Sequence, residues 1–223
     1  MSWWKRLWRG GGRSSLPERL RVVRLTMQGW REEAPSGGLR LWRDPHGDVL
    51  SLAIPDGSLG LPGLSDENAL QRWSRSLAES RSGGLIEVRV APGALGSAVG
   101  LIYKRLERPA YVFTGMLLIP SQSHVWTVVA AERGTTGVRE AVITAELMSS
   151  GRLTIQDYER SWGGDPYDPS YHGVERSVLR FISDDECYDE RFPGHPLSKI
   201  RRALATLPSS VHVESLNSEI EEP

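Results

Sequence analysis

The stretch from Glu132 to Glu140 carries the residue types best suited to holding an anion. It reads Glu-Arg-Gly-Thr-Thr-Gly-Val-Arg-Glu, follows an apolar run of β character and opens a periodic, helical one. Backbone N–H groups at a helix start point outward, and the helix dipole favours negative charge there. Arg133 and Arg139 would add two cations, and Thr135 and Thr136 two hydroxyls. A phosphate or carboxylate would satisfy that set. The Gly-Lys-Ser/Thr signature of a nucleotide P-loop is not there. The same residues also allow a structural arrangement, with Thr136 capping the helix and the arginines pairing with Glu132 and Glu140.

Other chemistry-bearing residues are more dispersed. Asp165, Asp168, Asp184, Asp185 and Asp189, with His172 and His195, offer ligands for a hard cation or groups for acid/base work. Asp165-Pro166 and Asp168-Pro169 are accounted for as turns. Asp44, His46 and Asp48 fit no complete calcium loop. The sequence contains no nucleophile elbow and no His-Glu-x-x-His zinc motif. Cys187 is the only cysteine, and its acidic neighbours Asp185, Glu186, Asp189 and Glu190 disfavour a thiolate. The expectation is therefore no catalytic residue, no metal centre and no cofactor.

Aromatic residues suggest contacts instead. Trp162, Tyr167 and Tyr171 fall in an irregular C-terminal third, where rings either form a satellite core or mark a binding face. Trp3, Trp4, Leu7 and Trp8 share one face of a short N-terminal helix, with Lys5, Arg6 and Arg9 toward the other. Such a segment can dock on a partner or touch a membrane surface weakly. Gly10, Gly11 and Gly12 would end it. The net charge of -1 argues against a whole-surface nucleic-acid footprint, so no nucleic acid is expected as a partner. No run is long and apolar enough to span a bilayer, and the N-terminus lacks the order of a signal peptide. A cytoplasmic setting is the expectation.

The elements that would position these residues follow from periodicity. Tyr111–Ile119 and His124–Ala131 alternate as an antiparallel pair. Leu39–Trp42 and Val49–Ile54 flank Asp-Pro-His-Gly-Asp as a hairpin, and Leu85–Val90 and Val99–Arg105 read as further strands. Residues 28–38 read as loop. A helix capped at Ser65 would bury Leu70, Trp73 and Leu77. The helix after Gly137 would turn Val138, Ala141, Val142 and Ala145 inward. Thr154 to Asp157 is a capping box, and a last helix would bury Leu197, Ile200, Leu204 and Leu207 with Arg201 outward. The fold class is α+β, with a central antiparallel sheet and flanking helices. Residues 1–19 would be a basic extension, 20–150 the core domain, 151–210 an aromatic-rich C-terminal wrap and 211–223 an acidic tail.

This order of hairpin, helix, strands and helix over Leu20 to Ser149 resembles the small sandwich domains of the Mog1/PsbP type. The resemblance implies an antiparallel sheet with helices at its sides, and no catalytic residues. Members commonly act as binding or accessory proteins. The expectation is a non-enzymatic interaction or accessory protein with a protein partner. The alternatives are a protein that binds a small anionic molecule at the Arg133–Arg139 loop, or a peripheral membrane-associated protein.

Overall fold

The computed structural model describes residues 23–36, 38–55, 58–92, 96–161 and 163–213. Its centre is a sheet of seven strands. In chain order these are β2 (Arg31–Ser36), β3 (Leu39–Arg43), β4 (Val49–Ala53), β5 (Gly84–Ala91), β6 (Ala98–Glu107), β7 (Ala110–Ile119) and β8 (His124–Ala131). They lie in the order β2-β3-β4-β8-β7-β6-β5, and every pairing is antiparallel. A short strand β1 (Val23–Leu25) pairs with β11 (Val211–Val213) outside this sheet. The fold is α+β, with an antiparallel sheet and helices.

Alternation along the strands sorts side chains to two faces. On one face Phe113, Leu117, Trp126, Val128, Leu50 and Leu52 pack against α4 (Pro196–Ser210), which contributes Leu197, Ile200 and Leu207. On the other, Leu101, Tyr103, Met116 and Leu118 meet α1 (Glu67–Glu79) through Leu70 and Ala78. The N-cap of α1 is Asp66, one residue beyond the expected Ser65, and its carboxylate accepts the Ala69 N–H at 2.9 Å.

At Gly115 the side chains of α4 press directly on the strand backbone. A Cβ there would sit 2.4 Å from Ile200 Cγ2 and 3.0 Å from Leu204 Cδ1. The strand has no room for a methyl group unless the helix moves. Gly115→Ala is therefore expected to destabilise the protein by about 1–3 kcal/mol, the usual cost of overpacking. A urea unfolding midpoint unchanged from wild type would show that α4 is not seated there.

Residues 31–36, expected as loop, form the edge strand β2. Its sequence Arg-Glu-Glu-Ala-Pro-Ser lacks an apolar face because it lies at the border of the sheet, where charge and proline are tolerated. The helix after Gly137, α2 (Val138–Ser149), is rotated relative to expectation. Its buried residues are Arg139, Ile143 and Leu147, while Val138 and Val142 are 45% and 38% exposed and Ala141 and Ala145 also face solvent. Ile143 and Leu147 pack on Leu153 and Phe181. Arg201, expected outward, is buried. A buried arginine reads as a solvent position in any hydropathy pattern, which hid the true face of α2 and the burial of Arg201 beside the expected Leu197, Ile200 and Leu207 stripe of α4.

Beyond α2, Thr154 starts α3 (Ile155–Ser161) with the expected reciprocal bonds. The Asp157 N–H reaches Thr154 Oγ1 at 3.1 Å, and the Thr154 N–H reaches Asp157 Oδ2 at 3.3 Å. The two-residue strands β9 (Gly163–Gly164) and β10 (Arg180–Phe181) pair. Ile182–Asp184 and Glu186–Tyr188 form two short 3₁₀ turns. No helix among the described residues is long and apolar enough to cross a membrane.

Candidate functional site

The loop at Arg133 is built by Glu132. As β8 ends, the Glu132 carboxylate accepts the Tyr111 N–H at 3.1 Å and the Gly137 N–H at 2.9 Å. These bonds fasten the loop between the sheet and the start of α2. Gly137 is the N-cap, in the left-handed region at φ 71°, and no side chain caps the helix. Thr136 therefore does not cap it, and the Glu132 carboxylate holds only the N–H of Gly137 itself.

The four residues nominated for anion binding separate. Arg133 is exposed and pairs with Asp48 at 2.9 Å. Arg133 and Thr135 line a pocket of about 390 Å³ together with His46, Asp48, His195 and Lys199. Lys199 is paired with both Asp44 and Asp48. Thr136 is not part of that lining. Arg139 borders the pocket but is only 1% exposed, and its guanidinium is committed inward. It donates to Ser183 O at 2.6 Å, Asp189 Oδ1 at 2.8 Å, Ser198 Oγ at 2.9 Å and Asp185 O at 2.8 Å.

Three groups that no sequence spacing connects meet at the pocket floor: Glu132 and His195 line it, and Glu140 lies beside them outside the lining. Glu140 comes from the first turn of α2, His195 is the N-cap of α4, and Glu132 follows β8. The His195 Nε2 stands 3.9 Å from a Glu132 oxygen and 3.9 Å from a Glu140 oxygen. Among the described residues, neither the Glu140 oxygens nor His195 Nε2 has a hydrogen-bond partner, although all are buried. Pro196 at the first helical position sets the start of α4, and His195 Nδ1 accepts the Leu197 N–H at 3.2 Å. The imidazole edge meets the Phe113 ring at 5.2 Å.

The electrostatics of this floor come from burial. Burial pushes the Glu140 carboxyl up, with repulsion from Asp184 and Glu132 adding to it. Burial, reinforced by Arg139, holds His195 down at about 4, so its imidazole is neutral at pH 7. Lys104, fully buried on β6, is lowered by burial against the opposing pull of Asp184, whose Oδ2 it contacts at 2.6 Å. Burial also raises Tyr111.

The acidic residues of the C-terminal third are distributed among basic partners. Asp165 takes a bidentate bond from Arg75 and also accepts the Tyr167 and Asp168 N–H groups. Asp185 pairs with Arg180, and Asp189 with Arg139 and Arg201. Cys187 and His172 are exposed. Of the residues nominated for interaction, Tyr167 turns onto the protein, its hydroxyl accepting the Val88 N–H at 2.9 Å and donating to Val88 O at 3.2 Å. Tyr171 stacks with Arg75 at 4.8 Å. Trp3, Trp4, Trp8 and Trp162 lie outside the described residues.

Sequence reasoning missed the floor. It offered His195 only alongside the C-terminal aspartates, and Glu132 and Glu140 as ion-pair partners of the loop arginines. The available signal was local: a histidine directly before Pro196 at a helix start, and a glutamate in the first turn of another helix. Their meeting depends on the tertiary path. No family model matches the chain, and neither does any curated protein.

Proposed function

We propose that this chain is a non-enzymatic interaction or accessory protein of Mog1/PsbP-like character, with a protein as its partner. The observation that carries this reading is the outward apolar face of α2. Val138, Ala141, Val142 and Ala145 point to solvent, and Ile155 on the next helix is 72% exposed. Apolar side chains placed together on one helix face are a common form of partner contact. The antiparallel sheet with helices over both faces supports the scaffold assignment. The Arg75–Asp165 and Tyr167–Val88 contacts support a C-terminal region that wraps the core. The near-neutral net charge supports a protein in preference to nucleic acid.

Val142→Lys tests it. The position is exposed, so stability should change by no more than about 0.5 kcal/mol. The wild-type chain is expected to co-purify from its source cell with a stoichiometric partner, and the variant to lose that partner at an unchanged melting temperature. A partner retained equally by both chains would remove α2 from the reading.

A second reading, a small-molecule or anion-binding protein, is favoured by the pocket itself. Arg133, Thr135 and Lys199 line it together with His195, whose buried Nε2 has no hydrogen-bond partner among the described residues.

A further inference from the structure

Buried polar groups without partners are costly, and each needs a reason. Here they converge: the ligand atoms of Glu132, Glu140 and His195 all lie within 4.8 Å of one another. The His195 side chain is 8% exposed, and its free Nε2 is directed at both carboxylates. Two atoms bound tetrahedrally to one ion at about 2.0–2.2 Å each stand roughly 3.3–3.6 Å apart. The 3.9 Å separations from Nε2 to the two carboxylates are slightly wider, and small side-chain rotations would close the set around an ion. We propose that Glu132, Glu140 and His195 form a binding site for a divalent transition-metal cation of the zinc or cobalt class.

The charge balance favours a dication. The buried cations nearby are already matched, Lys104 by Asp184 at 2.6 Å and Arg139 by Asp189 at 2.8 Å. Glu132 receives only neutral backbone N–H groups, and Glu140 receives no donor among the described residues. Two carboxylates and a neutral imidazole suit a borderline ion; calcium and magnesium prefer oxygen donors alone. Glu132 and His195 line the pocket, so an ion has a path from solvent. The inference shares its pocket with the second reading but requires no organic ligand.

Binding carries a specific signature. In the metal-free protein His195 Nδ1 accepts the Leu197 N–H, which places the imidazole proton on Nε2. An ion on Nε2 needs that lone pair, so the proton must move to Nδ1 and the Leu197 N–H must give up that acceptor. Metal binding is thus coupled to a switch of tautomer.

The test uses the full chain stripped with a chelator. Zn²⁺ is titrated calorimetrically, Co²⁺ by its visible ligand-field absorption, and the His195 tautomer is read by ¹⁵N-resolved NMR with and without Zn²⁺. The expected result is one ion per chain, a cobalt band and conversion of His195 to the Nδ1–H form. Glu140→Gln keeps the side-chain shape and is expected to weaken binding at least tenfold. It also removes a buried carboxylate that lacks a donor, so its metal-free melting temperature should equal or exceed that of wild type, which separates lost binding from lost fold. His172→Ala, an exposed histidine outside the pocket, should bind as wild type does. Absence of calorimetric binding, a His195 that stays Nε2–H at saturating Zn²⁺, or binding that survives Glu140→Gln but fails in His172→Ala would overturn the proposal. A parallel thermal-shift series with organic phosphates and carboxylates on the stripped chain reports on the second reading by itself.

Discussion

Arg139→Ala is expected to destabilise the protein by about 3–5 kcal/mol, the cost of breaking a buried ion pair from one side. The guanidinium joins three segments: α2, on which it sits, the 3₁₀ turns through Ser183 and Asp185, and α4 through Ser198. Its truncation would take the donor from the Ser183 carbonyl and leave Asp189 with only Arg201 and the Ser198 hydroxyl among the partners described. The alternative, in which Arg139 serves a bound anion from a solvated loop, would allow a change of only about 0–1 kcal/mol. Chemical denaturation separates the two outcomes cleanly. Arg139→Lys restores the charge but not the planar fork, so it should recover only part of the loss. A near-neutral alanine variant would contradict the interior role.

Lys104→Met should have a similar effect for a different reason. The Lys104 ammonium and Asp184 carboxylate are both fully buried, and the ammonium also sits 3.2 Å from the centre of the Phe181 ring. Methionine fits the space of the stem but leaves Asp184 as an uncompensated buried anion, a loss of about 3–5 kcal/mol. Because the Phe181 N–H donates to Asp184 Oδ2 at 2.8 Å, the second site must keep an acceptor. Asp184→Asn does so without the charge. The double variant is therefore expected to be markedly more stable than Lys104→Met alone, and the double-mutant cycle should give a coupling above about 1 kcal/mol. Additive losses would mean that the two groups do not sense one another.

These two sites also show where sequence reading stops. The hairpin of β7 and β8 was legible because its side chains alternate and its turn is short. The hairpin of β3 and β4 was legible from Asp44-Pro45-His46-Gly47-Asp48, and the α3 start from Thr154. In each case the deciding forces are local. The α2 face was read from Val138, Ala141, Val142 and Ala145 because apolar residues are expected inward. The true face pairs Ile143 and Leu147 with a buried arginine whose compensation comes from residues more than forty positions away. Lys104 and Arg201 were equally unreadable, since a charge is buried only when its partner is, and the partner is set by the fold. The loop read as anion-friendly contributes Arg133 and Thr135 to a pocket wall. Its floor required α2, α4 and the end of β8 to meet.

The small β1–β11 pair has a mechanical consequence. Val23 lies opposite Val213 and Leu25 opposite Val211, so the outer ends of both strands are at the same end of the ladder. Tension applied through the preceding and following chain would enter at that shared end and open the ladder one rung at a time, as a zipper opens. It would not load all the rungs together, as shear does. Under a pulling force this pair is the natural place to yield first, while the seven-stranded sheet beyond it stays closed.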